Sequence, residues 1–282
     1  MDFSFSSEQD DLRREARAFL EATPAPTLDQ LAELGWVGIL QSEDFTFLDA
    51  AVLFEELGRV LYDGPFVLNE VAAQPGDEVW SIEIDGFVPH LASVGRVLLP
   101  GMQAATAQGE LVATMDETLG LGKLAANTTG AAAGDWEDVR RRLLAALALE
   151  AVGIGAKALE LAIAYASERE QFGKKIGVYQ AISHSLVDGY VAVELGRSLA
   201  YWAAWCVAEG DADTDLAVAA AKSQATEAAV LACEKSIQAL GGIGFTWEHV
   251  LHRYYKRALW LEGELGYGRE QRAEVARRLL SS

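Results

Sequence analysis

The chain has 282 residues, enough for one large core or two domains, and its 51% hydrophobic and 23% charged residues give a globular composition. Lys and Arg number 23 against 42 Asp and Glu, and the net charge of −19 argues against nucleic acid and anionic membrane surfaces as partners. No N-terminal run fits a signal peptide, no uncharged apolar run is long enough to span a bilayer, and Cys206 and Cys233 lack metal-ligand spacing, so they read as buried free thiols in a reducing cytoplasm.

In chain order, Ser6-Ser7-Glu8-Gln9 reads as an N-cap with Gln9 closing a capping box, which opens a helix through about Leu20. Thr23-Pro24-Ala25-Pro26 breaks it, and Leu28 to Leu34 forms a short amphipathic helix ended by Gly35. A further helix runs from Phe47 to Leu61, with Leu48, Ala51, Val52, Glu55 and Leu57 at helical spacing. Asp63-Gly64-Pro65 turns the chain into a last short helix from Phe66 to Ala73.

From Gln74 to about Gly134 the pattern changes. Val79–Ile84, Gly95–Leu99 and Leu111–Met115 read as strands, with Asp85-Gly86 and Pro100-Gly101 as turns and Gly130–Gly134 as a flexible linker. From Trp136 onward the pattern is helical: Val139–Ser167, Tyr179–Ala208, Leu216–Leu240 and Trp247 to about Leu261, then a polar tail helix from Arg269 to Leu280. Four long helices with short connections predict an antiparallel bundle, and the chain divides into segments 1–73, 74–134 and 135–282.

The polar, glycine-punctuated break between two apolar helices, Ser167 to His184, carries Arg169, Gln171, Lys174, Lys175 and Gln180. Gly173 is placed to end the first helix in a left-handed conformation, and Gly177 to turn into the next. By itself such a corner is more often a solvated helix junction than a ligand site. A guanidinium between helices is, however, well shaped to grip phosphate oxygens in pairs.

The run R-x-Q-F-G-x-x-I-x-x-x-Q from Arg169, with Q-A-L-G-G-I-G-F-T-W-E from Gln238 to Glu248, resembles the paired signatures of the acyl-CoA dehydrogenase family. F-S-x-E-Q-x-x-L-R from Phe5 is similar to the family's first helix. The resemblance implies a mainly α fold with a short N-terminal helical domain, a reduced β-domain and a C-terminal four-helix bundle. It implies FAD as cofactor, contacted by Arg169 at the pyrophosphate, by Gln171, Phe172 and Gln180 around the same corner, and by Gln238, Gly241 and Gly242 at the nucleotide end. In the family these groups reach FAD held mainly by a neighbouring subunit, so an oligomer is expected.

The family's β-domain binds the flavin ring and part of the CoA, and nothing in residues 74–134 resembles its flavin-binding strands. Its catalytic glutamate, registered on Gly242-Ile243-Gly244-Phe245 and Ala258, falls at Leu265. The alternative position used by part of the family falls at Leu143. Glu262 and Glu264 lie just out of register, and Glu150 reads as a bundle-core carboxylate with a partner. His90, His184, His249 and His252 show no catalytic or metal arrangement.

Three readings follow. The first is a subunit that completes a FAD site but carries no base, paired with a full-length acyl-CoA dehydrogenase-like partner in a heterotetramer. It resembles the short subunits of actinobacterial enzymes acting on steroid or other bulky acyl-CoAs, with a flavoprotein as electron acceptor. The second is a self-sufficient homo-oligomer using Glu262 or Glu264. The third is a non-catalytic scaffold without flavin, against which Arg169, Gln180 and Gln238 argue.

Overall fold

The computed structural model describes residues 5–125 and 128–280. The chain starts with helices α1 (Ser7–Ala22), α2 (Leu28–Glu33), α3 (Phe47–Arg59) and α4 (Phe66–Ala72). Local hydrogen bonding fixes where they begin. The Ser6 hydroxyl accepts from the Gln9 N–H at 3.2 Å, while Gln9 Oε1 accepts from the Ser6 N–H at 3.1 Å. Thr27 and Gln30 close the same box on α2.

Six short strands follow: β1 (Trp80–Ile82), β2 (Arg96–Leu99), β3 (Gln103–Thr106), β4 (Gly109–Leu111), β5 (Gly122–Leu124) and β6 (Thr128–Ala131). Four of them form a sheet in the order β1-β2-β3-β6, parallel between β1 and β2 and antiparallel elsewhere, while β4 pairs with β5. The strand expected over Leu111–Met115 lies earlier, at Gly109–Leu111. The ladder stops there because Thr114 Oγ1 donates to the Asp116 carbonyl and Asp116 Oδ1 accepts from the Thr118 N–H, which bends the backbone locally. The expected linker Gly130–Gly134 is also partly sheet, since Gly130 and Ala131 belong to β6. Within it Ala133 exchanges two hydrogen bonds of 2.8 Å with the buried Gln74 amide, which stands in for a neighbouring strand.

Five helices complete the chain: α5 (Trp136–Glu168), α6 (Gln180–Glu209), α7 (Thr214–Leu240), α8 (Leu251–Gly263) and α9 (Gly268–Leu280). Helix α7 packs against α5, α6, α8 and α9, and α3 crosses α5. Alanines on α7 keep its neighbours close. At the α3–α5 crossing, a Cβ on Gly58 would meet the Glu150 carbonyl, and one on Gly153 would meet the Glu55 carbonyl, so two backbones touch through two missing side chains.

The direction of the helices decides where the motifs go. Arg141 on α5 pairs with Asp215 on α7, and Gly155 on α5 lies against Ala229 on α7, the same sequence offset in both pairs. Helices α5 and α7 are therefore parallel, and their C-termini share one end of the bundle. Helix α6 runs back between them, with Gly189 against Leu159 and Gly196 against Ala225. One apolar cluster extends from Ala16 on α1 through α3, α4 and β1 to Leu261 on α8, and a small second cluster holds Val88, Leu91 and Val97.

Candidate functional site

Arg169 caps the C-terminus of α5 in an extended conformation, its N–H bonded to the Tyr165 carbonyl at 2.9 Å. Beyond it Glu170–Gln171 (β7) and Lys174–Lys175 (β8) form a minimal hairpin. Gly173 is left-handed (φ 75°), as expected, but it turns this hairpin rather than ending α5, and Phe172 beside it is left-handed too (φ 52°). Two consecutive positive φ angles are what a two-residue hairpin loop needs. They hold the Phe172 ring out in solvent, 92% exposed, and a bulky residue in this conformation is strained. Gly177 sits in a short 3₁₀ turn against the Ala166 carbonyl, and Gln180 is the first residue of α6.

The second motif lies at the C-terminus of α7, at the same end of the bundle. Gly241 caps that helix at φ 70°, and neither Gly241 nor Gly242 has an atom within 4 Å of where a Cβ would stand. Backbone groups there are open to an approaching ligand. Gln238 is exposed on the last turn. Next to it the exposed Trp247 ring packs edge-on to His252 at 4.5 Å, with Lys256 Nζ 4.6 Å from its centroid. Arg169, Gln171, Phe172, Gln180, Gln238, Gly241 and Gly242 are all exposed. The fold gathers them at one end of the bundle and presents them outward.

The carboxylate candidates lie elsewhere. Leu143 is buried in α5, and Leu265 is half-buried at φ 56° between α8 and α9, so the two positions at which the resemblance places a base hold aliphatic side chains. Leu265 is held there by its N–H bond to Asp85 Oδ2 at 2.9 Å and by Gln271 Nε2 donating to its carbonyl at 2.6 Å. Beneath this turn the fully buried Lys222 of α7 donates to the carbonyls of Glu262 (3.2 Å) and Gly266 (3.3 Å). Burial brings the Lys222 ammonium down to about 8. Burial and then the neighbouring Asp85 push the Glu264 carboxyl up to about 7, against the pull of Lys222, and its Oε2 is buried without a hydrogen-bond partner. Burial also raises Glu262.

Glu150 has the partner expected of it. Arg257 on α8 donates Nη1 to Glu150 Oε1 at 2.6 Å, Nε to Asp116 Oδ2 at 2.6 Å and Nη2 to Thr118 Oγ1 at 2.7 Å. Sequence reasoning missed this cluster and missed Lys222. The available signal was periodicity, because Arg257 shares the core-facing positions of Tyr254, Ala258 and Leu261. Of the histidines, His90 is buried, and that desolvation, with the nearby Arg257 charge adding to it, drives its pKa down to about 3, while His249 Nδ1 accepts the Leu251 N–H at 3.2 Å.

The family described as "Acyl-CoA dehydrogenase, C-terminal domain" matches residues 140–280. The acyl-CoA dehydrogenase IpdE2 of Mycobacterium tuberculosis is 32% identical over 238 residues, spanning 74% of this chain and 71% of that protein. Among solved structures, the ChsE4-ChsE5 complex from Mycobacterium tuberculosis superposes over 100% of both chains, with a TM-score of 0.84 at 21% identity. A variant of the Tcur3481-Tcur3483 steroid ACAD superposes over 97% of this chain and 98% of its own, with a TM-score of 0.82 and 21% identity. At that identity the two structures establish likeness of fold.

Proposed function

The chain belongs to the acyl-CoA dehydrogenase family, and on that premise we propose that it is a subunit of a FAD-dependent acyl-CoA dehydrogenase, lending nucleotide contacts while a partner chain supplies the catalytic base. The observation that carries this reading is the pairing of outward-facing nucleotide corners with leucine at both base positions. An exposed Arg169 and a side-chain-free Gly241-Gly242 turn suit a dinucleotide held largely by another subunit.

FAD, the cofactor of this reading, would supply a hydride acceptor for the β-carbon when bound, while a carboxylate would take the α-proton. This chain's part is to bind and orient. Arg169 would neutralise pyrophosphate oxygens; Gln171, Phe172 and Gln180 would line the corner around them; Gln238 with the Gly241 and Gly242 backbone would hold the nucleotide end. The substrate we assign is a bulky acyl-CoA of steroid type, supported by the likeness to the steroid ACAD. Both comparison structures pair two named chains, which supports a heteromeric partner here.

One observation favours a second reading, in which the chain is self-sufficient. Glu264 holds a raised pKa of about 7 next to the family's base position. We rank it second because Glu264 faces Lys222 and Asp85, the chain's own groups. The nucleotide assignment is tested by Arg169→Ala in the assembled complex. Loss of a charge-assisted contact of about 1.5–3 kcal/mol predicts a fall of at least tenfold in FAD affinity. Unchanged FAD retention would make the corner an ordinary helix junction.

A further inference from the structure

At the opposite end of the bundle, about 40 Å from Arg169 by the helical rise along α5, helix α5 starts beside the turn joining α6 to α7. A half-open cleft of about 520 Å³ lies there, lined by the first turns of α5 (Asp135, Asp138, Arg141, Arg142) and by Asp211 and Asp215 from the α6–α7 corner. Its acids are already engaged. Asp135 caps α5 through the Glu137 N–H at 2.7 Å, and Asp211 Oδ1 accepts the Asp213 N–H at 2.8 Å. Asp138 takes Arg141 Nη1 at 3.0 Å. Asp215 holds Arg141 by two bonds, of 2.6 and 3.2 Å, and Arg278 at 2.8 Å.

Arg142 is different. Among the described residues its guanidinium makes no hydrogen bond or ion pair, and its Nε is buried without a partner. Burial lowers its pKa, with only the longer-range attraction of Asp138 opposing. A half-buried guanidinium whose Nε is shut away without an acceptor is costly, and an anion that accepts from the group offsets that cost. The adjoining N-terminus of the 27-residue helix α7 has no side-chain cap, so its dipole adds to the attraction.

The geometry points to a carboxylate-binding site at Arg142, taking a singly charged organic acid or a carboxylate presented by a partner chain. The charge balance selects the monoanion. Four acids and two arginines line the cleft, within a protein of net charge −19, so a phosphate dianion meets about twice the repulsion a single carboxylate meets, and the one unpaired guanidinium matches only one negative charge. The volume is that of a small-molecule site, which commonly measures about 300–1,000 Å³.

Saturation-transfer NMR of the full chain with butyrate, and with butyramide as its neutral counterpart, tests the site. The expected result is saturable butyrate binding that weakens at least tenfold in Arg142→Gln, recovers partly in Arg142→Lys and is not seen with butyramide. Circular dichroism and the FAD content of the assembled complex should be unchanged in both variants, which separates this site from the nucleotide corners. The same titration on the assembled complex distinguishes the sources. Butyrate still bound there indicates a free acid; butyrate excluded, with assembly weakened at least tenfold by Arg142→Gln, indicates the partner's carboxylate. Butyrate binding that is absent from the full chain, or equal in wild type and Arg142→Gln, overturns the assignment.

Discussion

Arg257 and Glu150 meet at 2.6 Å between α8 and α5, where the arginine is 2% and the glutamate 8% exposed. The same guanidinium reaches Asp116 and Thr118, so one side chain ties the bundle to the segment between β4 and β5. Its pKa is raised because the attraction of Glu150 and Asp116 exceeds the burial that opposes it. Arg257→Met would strand two buried carboxylates. Breaking a buried pair from one side costs about 3–5 kcal/mol, which predicts a Tm lower by on the order of 10 °C. Adding Asp116→Asn and Glu150→Gln should recover part of the loss. A calorimetric Tm within a degree or two of wild type for the single variant would show that the cluster contributes little.

The α6 surface carries the second prediction. Val187, Tyr190, Val191 and Leu195 are each at least half exposed and lie along one face, with Ile163 of α5 exposed as well. Monomers rarely leave such a stripe uncovered. Val191→Asp with Leu195→Asp should weaken association, read by light scattering as a shift toward smaller species. A wild-type chain that is monomeric at micromolar concentration, alone and with its partner, would rule out this face as an interface.

Much of this architecture is legible in the sequence. Ser6 with Gln9 marks the start of α1, and long apolar periodicity marks α5, α6 and α7 to within a few residues. The strands Gln103–Thr106 and Thr128–Ala131 escaped notice because small and polar residues carry no alternation. Pairing with β2 and with each other makes them strands, and propensity has little part in it. The two corners proposed to meet the nucleotide are visible as motifs, yet the hairpin at Phe172-Gly173 is not, since two-residue strands leave no pattern. Arg257 and Lys222 stayed hidden for another reason. A charge on the core face of a helix becomes intelligible only when its partners arrive, and Asp116 is 141 residues from Arg257.

The third prediction concerns pH. Glu264 moves from an ordinary 4.5 to about 7 on folding, so the folded state holds this proton more tightly than the unfolded chain. Its stabilising effect is complete below about 4.5 and is lost as pH rises through about 7. Lys222 shifts the opposite way, from 10.5 to about 8, so the folded state is penalised while it must carry the charge, and that penalty lifts only between about 8 and 10.5. Stability should therefore fall between pH 5 and 7.5. For a carboxyl still partly in solvent, the change is about 1–2 kcal/mol after allowing for screening. Glu264→Gln should flatten that slope in a Tm-versus-pH series. An equal slope in the variant would assign the change to other groups.

The last prediction separates the two readings of the active site. Removing the α-proton needs a carboxylate within hydrogen-bond reach, and neither Leu143 nor Leu265 can accept a proton at any pH. Glu264 has the pKa of a workable base, but its carboxyl answers to Asp85 and Lys222, and Glu262 has its own carbonyl tied to Lys222. If a partner supplies the base, Glu262→Gln and Glu264→Gln should leave turnover of the assembled enzyme within a few-fold of wild type. The chain purified alone and given FAD should then oxidise no acyl-CoA with an artificial acceptor. If the chain is self-sufficient, one of the two substitutions should lower kcat by roughly 10² or more, the usual cost of losing a general base. The outcome that would displace our reading is activity in the lone chain that Glu264→Gln abolishes while the protein stays folded and its FAD affinity is unchanged.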